Sequence, residues 1–465
     1  MGSVAAGFDA GAVPVGANEE LAGPAHTVFA PVKAQERISV IDTLRGFALM
    51  GILIMNITDF GLGYQNYLYP LSTVKPVFSG PHWELNTVLW FVRWIFAEGK
   101  MRGLFSMLFG AGVVLLTERA EKRGAGVRVA DIYLRRNMWL VLFGMLHAYF
   151  IWSGDILFFY GVAGLLFLFP FRVMRSSRLL WVAGVVLLLN SMVVDVGQTM
   201  WQVSIHKKSV EARQAYAKNH VVTLDQRNAI DADDKQQGNF RKSKKDMYED
   251  IAGQQKGYWS AQGARVKDVL IGHLKGSYFG FGDWFGMMAL GMALYKNEFL
   301  SGKLRTKTYA WTAAIGLGIA YPLIAVGAWK AWKGHFDLSH TQLFMTLPYG
   351  VGRVTGAVGT AALLILIIRS GVFSWLMKRV AAVGQMALSN YLLTSISMQI
   401  LFVWSPLKWY GYMDYYKLYI VMACVWLVNM TWSTIWLRYF QFGPMEWVWR
   451  SLTYWKRQPM RLKTA

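Results

Sequence analysis

Residues Arg37 to Phe60 read RISVIDTLRGFALMGILIMNITDF. The stretch opens polar, with Asp42 and Arg45, and runs uncharged and apolar from Phe47 to Met55. It closes on Asn56 and Asp59. As a helix its 24 residues cover ~36 Å, enough to cross a bilayer core of ~30 Å. Asp42, Arg45, Leu49, Ile52 and Asn56 fall at steps of three and four, so one stripe carries an ion pair and an amide. A span that used polar groups only as anchors would not need them on one line. The plainer alternative is that Arg45 snorkels to the headgroups with Asp42 as a surface partner.

Composition extends this reading to the whole chain. Of 465 residues, 54% are hydrophobic and only 16% charged, with 21 Trp and 27 Phe. Several apolar runs approach or exceed the transmembrane length, so the fold class is an all-α, polytopic bundle. The runs do not alternate as β-barrel strands do. The net charge of +21 fits basic loops on the cytoplasmic face and anionic headgroups. No nucleic-acid motif accompanies it. A single cysteine, Cys424, excludes a disulfide within the chain and a Cys-based metal site.

Working outward, residues 1–36 are Gly-, Ala- and Pro-rich and lack a basic region before an apolar core. They read as a disordered cytoplasmic tail rather than a signal peptide. Beyond the first span, 83–100 is aromatic but broken by Glu84, Arg93, Glu98 and Lys100. It reads as a helix at the outer interface or leaning into the bundle. Further spans are expected near 102–118, 134–152, 156–171 and 179–199, completing a five-span half over 37–199. Residues 200–275 are polar and mixed in charge, an extramembrane insertion with amphipathic helical pieces. A second five-span half over 276–440 has spans near 277–295, 308–329, 346–368, 381–404 and 417–437, before a basic cytoplasmic tail at 441–465. With ten spans, every short basic loop falls on one side, both termini are cytoplasmic and the insertion is outside. Counting 83–100 as a span would place those basic loops outside.

An ionisable side chain within a span costs roughly 2.5–3.5 kcal/mol on insertion scales, so it faces a cavity or a partner. The candidates are Arg45, His147, Arg353, Asp155, Asp195 and Asp283, with the amides Asn56, Asn190, Gln385 and Asn390. His147 precedes a tight turn, WSGD, whose last residue is Asp155, a carboxylate that could orient the imidazole as a base. A hydrogen-bonded structural histidine is the alternative. His82, in GPHW, stands on the outer side with Asn56 and Asp59, either as a base or as an interfacial histidine beside Trp83. His335 and His340 flank Asp337, but no third metal ligand is evident. The glycines of PYGVGRVTG lie in a span, and neither a nucleophile elbow nor HExxH occurs.

Five segments carry a family resemblance: RISVIDTLRGFALMGILIMNI, FGMLHAYFIWSGDILFFYGVAGLL, LGMALYKNEFL, VGQMALSNYLLTS and FQFGPMEWVWRSLTYWKR. In content and order they resemble the YeiB-like bacterial membrane proteins, a family of unassigned function, over most of residues 37–460. That family resembles a branch of the transmembrane acyltransferase superfamily, whose first span has an Arg-Gly after an Asp, as at Asp42, Arg45 and Gly46. The O-acyltransferase branch has a histidine where this chain has Asn56. The branch containing heparan-α-glucosaminide N-acetyltransferase is more similar. It has an Asn near the end of the first span and a catalytic His in the following loop, the place His82 occupies.

The resemblance implies an enzyme of the bacterial cytoplasmic (inner) membrane. It would move an acyl group from cytoplasmic acyl-CoA to an outer sugar or lipid acceptor of the envelope. Asp42, Arg45, Arg353 and Asn390 are then the expected donor-binding residues, and His82, Asn56, His147 and Asp155 the catalytic ones. No metal and no nucleic acid are expected, and membrane lipid is the surrounding partner. A transporter or flippase for an envelope precursor, suggested by two five-span halves, and a non-catalytic membrane scaffold are the alternatives.

Overall fold

The computed structural model describes residues 39–462 apart from 125, 127 and 405. The expected 1–36 tail lies outside the described residues. All regular structure among them is helical, with one isolated bridge between Phe440 and Arg461.

Seven helices are long and apolar enough to cross a membrane. They are Ser39–Leu62 (α1), a stretch Trp83–Lys122, Ser176–Lys218 (α6), Thr306–Lys333 (α11), Leu338–Ser370 (α12), Ala387–Trp404 (α14) and Tyr415–Trp436 (α15). The stretch Trp83–Lys122 comprises α2 (Trp83–Val92), a wide turn, and α3 (Lys100–Lys122). The ten-span reading needs three further helices, none of which meets that length and apolarity. α4 (Arg128–Phe150) is long enough, but its first turns carry Arg128, Asp131, Arg135 and Arg136. α5 (Leu157–Phe171) and α10 (Phe281–Lys296) are short apolar helices. The polar stretch between α6 and α10 holds α7 (Leu224–Phe240), α8 (Lys244–Gln255) and α9 (Tyr258–Phe279). α13 (Ser374–Gln385) precedes α14, and α16 (Pro444–Tyr454) closes the chain.

Two crossings are made by glycines that let backbones touch, as small residues do between membrane helices. At α1–α13, a Cβ on Gly384 would lie 1.9 Å from the Asp42 carbonyl oxygen, and one on Gly46 would lie 2.0 Å from that of Val380. At α3–α10, a Cβ on Gly291 would meet the Met107 carbonyl oxygen at 1.9 Å. α10 is thereby held against α3, with Phe285, Met288, Met292 and Ala293 buried.

The segment 83–100 leans into the bundle. Trp90 and Trp94 are buried, and the Arg93–Glu98 ion pair, at 2.9 Å, has no exposed side-chain surface. The helix breaks at Gly99, whose φ of +74° suits glycine. Lys100, also buried, donates to the freed carbonyls of Trp94 and Glu98 at 3.1 and 3.3 Å. The break thus turns a helix end into a cation site, filled by the chain's own ammonium.

The insertion has no break at its N-terminal boundary. α6 runs on past residue 200, and α7 returns along it, tied by His206–Asp233 at 3.1 Å and Arg213–Asp234 at 2.6 Å. α8 sits on the loops beside it: Gln255 donates to the carbonyls of Lys408 and Tyr410, and Ile251 packs where a Cβ on Gly411 would stand.

Candidate functional site

A cavity of about 270 Å³ lies among α1, α3, α4, α5, α14 and α16. Its two ends differ in chemistry. One is lined by Arg45, Arg119, Arg123, Arg136 and Arg450, with Asp42 and Glu446 as the lining carboxylates among the described residues. Both carboxylates are engaged. Asp42 pairs with Arg45 at 3.0 Å, and Glu446 accepts from the Leu388 and Ser389 amides at 2.6 and 3.1 Å. The other end is lined by Ile52, Phe105, Phe109, Ile156, Tyr160 and Tyr391. α1 rises from Asp42 to Ile52 along this wall, ten residues or ~15 Å. The arrangement suits a ligand with an anionic head and a slender body.

Glu446 holds α16 to the start of α14. Its carboxylate also takes the Ser389 hydroxyl at 2.5 Å. A carboxylate among the first amides of a helix is favoured by their partial positive charge. Burial nevertheless pushes its pKa above the ordinary carboxylate range, with the Ser389 hydroxyl and amide opposing. Glu446→Ala would leave two buried amides unpaired. A loss of about 1–3 kcal/mol per unsatisfied group is expected, read as a lower unfolding midpoint of the detergent-solubilised protein. An unchanged midpoint would show that α16 is held elsewhere.

Behind Tyr391 lies a histidine–aspartate pair. His147 Nδ1 donates to Asp155 Oδ1 at 2.9 Å, with neither side chain exposed. Asp155 Oδ2 accepts from the Phe158 amide at 2.7 Å. The local sequence produces this geometry: the turn after α4 brings Asp155 back beside the last turn of that helix. A Cβ on Gly144 would meet the Phe158 amide nitrogen at 2.2 Å, so glycine there lets α4 and α5 close. The carboxylate fixes the proton on Nδ1, leaving the Nε2 lone pair outward. His147 Nε2 is buried without a hydrogen-bond partner. Its ring stands 4.9 Å from that of Tyr391.

A smaller cavity of about 20 Å³ shares Tyr391 and Ile52 with the large one. Asn56, Asn429 and Trp152 line it. The stripe read along the first span therefore borders both spaces: Asp42, Arg45 and Ile52 the large one, Ile52 and Asn56 the small one.

The other expected site residues lie elsewhere. His82, like His147 and Asp155, is not among the residues lining either cavity. It is exposed, in the left-handed region at φ +63°, and packs on the ring of Tyr416 at 5.1 Å. The loop 63–82 before it folds back on α2 and the turn that follows through hydrogen bonds from Trp90 and Trp94 to the Leu68 carbonyl. Arg353 pairs with Asp283 of α10 and is buried away from both cavities. Asn390 is consumed in packing: it donates to Val383 and Ser433 and accepts from Trp432 at 2.7 Å. Asp337 caps the start of α12, accepting from the His340 amide at 3.0 Å. Arg119, Arg123, Arg136 and Arg450 were legible as a group, as basic residues of one face that could meet a donor's phosphates, with Glu446 and Arg450 as a helix cap or entrance guard, but not individually as cavity lining; Tyr391 carried no signal beyond its place in SNYLLTS.

The fold and cavities define an all-helical membrane protein with a cationic-to-apolar internal space. Residues 294–456 match the family described as protein of unknown function, DUF418. The chain is similar to the uncharacterized protein YxaH of Bacillus subtilis (strain 168), 28% identical over 93% of this chain and 98% of that one. It is likewise similar to the uncharacterized protein YeiB of Escherichia coli (strain K12), 29% identical over 92% of this chain and 100% of that one. These matches support a YeiB-like family. No solved structure matches the chain.

Proposed function

We propose that this protein is an acyltransferase of the bacterial cytoplasmic membrane, with ten spans and cytoplasmic termini. It takes acyl-CoA from the cytoplasm and acylates a hydroxyl or amine of an envelope sugar or lipid. One observation carries the reading: a cavity cationic at one end and apolar at the other stops at Tyr391, behind which a buried histidine offers an unpartnered Nε2.

The five arginines suit the donor's phosphates, and the apolar length suits its slender arm. The thioester then lies near Tyr391. His147 Nε2 takes the proton of the acceptor O–H or N–H as that atom attacks the thioester carbon. The C–S bond breaks, and the thiolate recovers the proton from the imidazolium. Asp155 orients the ring and offsets its charge. Asn56, across Ile52, is placed to donate to the carbonyl oxygen as it gains charge. His82, remote from this space, has no part in the step.

The reading is tested in proteoliposomes by adding acyl-CoA outside or inside, with envelope lipids and glycans as acceptors, and measuring free thiol. Thiol release that requires acceptor supports it. Vectorial movement of a lipid with no thioester consumed would replace it with the carrier reading. Topology is checked on a Cys424→Ser background. A cysteine placed at 230 should react with an impermeant reagent from outside, and one at 460 only after permeabilisation. The reverse pattern would invert the assigned orientation.

A further inference from the structure

His147 Nε2 is one of two orphaned polar atoms on neighbouring rings. The Tyr391 hydroxyl is also buried with no hydrogen-bond partner, and the two ring centroids stand 4.9 Å apart with their planes at 43°. The orphans are complementary. With its Nδ1 proton held by Asp155, the imidazole has a lone pair and no donor, whereas the phenol has a proton and no acceptor. A buried polar group left unpaired is costly, so each one in a folded protein calls for a reason. Resting on the acyltransferase reading, we infer that Tyr391 is a further catalytic residue, whose hydroxyl carries the acceptor's proton to His147.

Tyr391 and Ile52 are the described residues that line both cavities, and His147 lines neither. Isoleucine has no exchangeable proton. A proton leaving an acceptor held in either space therefore reaches the imidazole through the phenol that stands between them. Neighbouring hydroxyls are already committed. Tyr160 Oη lies 2.5 Å from the Ser106 hydroxyl, Tyr133 donates to the Gly164 carbonyl at 2.8 Å, and Ser395 donates to the backbone carbonyl of Tyr391 at 3.2 Å. The helix that carries Tyr391 is pinned just before it, where Asn390 is bonded to Val383, Ser433 and Trp432. The backbone is thus fixed at this point, and the adjustment that brings the hydroxyl to its partners falls to the side chain.

The transfer is concerted. As the acceptor's oxygen or nitrogen attacks the thioester carbon, its proton passes to Tyr391 Oη while the phenol's own proton passes to His147 Nε2. The phenol ends neutral, so no phenolate is left in a buried place. The imidazolium that forms faces Asp155 at 2.9 Å. When the C–S bond breaks, the proton returns by the same route to the departing thiolate.

Tyr391→Phe in the full-length protein removes the hydroxyl and nothing else. In proteoliposomes it is expected to lower acceptor-dependent thiol release about 10²-fold or more, as loss of a positioned acid–base group does. The loss should fall on kcat, with KM for acyl-CoA little changed. The unfolding midpoint in detergent should equal or exceed that of the wild type, because the deleted hydroxyl has no partner to lose. Tyr160→Phe, which deletes a hydroxyl bonded to Ser106, should by contrast lower the midpoint. Wild-type turnover by Tyr391→Phe would overturn the inference while leaving the transferase reading in place. A lowered midpoint, or failure of Tyr391→Phe to fold, would also overturn it, since the hydroxyl would then be structural. Wild-type protein that consumes no acyl-CoA with any acceptor would remove both.

Discussion

His147→Ala is expected to lower acyl transfer by ~10²–10⁴-fold, the range a positioned general base contributes. The loss should fall on kcat, with KM for acyl-CoA little changed, because the side chain stands behind Tyr391 and away from the arginines. Alanine also strands Asp155, a buried carboxylate, so His147→Gln provides the companion measurement. An amide can still donate to Asp155 but cannot accept the acceptor's proton at neutral pH. Both variants should be inactive, and His147→Gln should remain folded. His82→Ala, exposed on Tyr416, should leave the rate unchanged. Wild-type turnover by a folded His147→Gln protein, or loss of turnover on His82→Ala, would move the base to another residue.

Gly384→Ala is expected to be among the most destabilising single substitutions. The added methyl would lie 1.9 Å from the Asp42 carbonyl oxygen and 2.6 Å from the Gly46 amide nitrogen. Both are backbone atoms within helix α1, so neither can turn aside as a side chain would. α13 must then back away from α1 along the crossing that also seats Arg45 against the Gly384 carbonyl. Overpacking typically costs about 1–3 kcal/mol and occasionally more, and backbone meeting backbone belongs at the upper end. The measure is the unfolding midpoint in detergent, with Gly184→Ala as the control. A Cβ there meets nothing within 4 Å, and alanine suits a helix better than glycine. Equal midpoints for the two variants would mean that the α1–α13 contact is not close in solution.

The different fates of the sequence expectations have physical causes. Seven spans were legible because each keeps an apolar window of bilayer-crossing length, whether its surface is buried in the bundle or faces outward. α10 has no window of that length. Enclosed by α3 and α6, its 16 residues need neither the length nor the uniformity of a lipid-facing span. The His147–Asp155 pair was legible because the turn WSGD ties its two halves within eight residues of chain. Arg353 and Asn390 satisfied the same cost argument by a different route: Asp283 and the trio of Val383, Ser433 and Trp432 answer them locally. Costly groups at depth need partners, and sequence alone does not say whether the partner is protein or ligand. The arginines of the cavity posed the converse difficulty. A cation that marks the cytoplasmic face and one that greets a phosphate occupy the same level of the membrane.

The uninterrupted helix α6 has a mechanical consequence. Its 43 residues span ~64 Å, roughly twice the ~30 Å hydrocarbon layer. With α7 lashed back along it, the surplus stands as a stiff post, so its tip near residues 220–223 is held at a fixed height and bearing relative to the bundle. An epitope or fluorophore grafted there would report the tilt and rotation of the embedded helices directly, without a flexible joint to blur the signal.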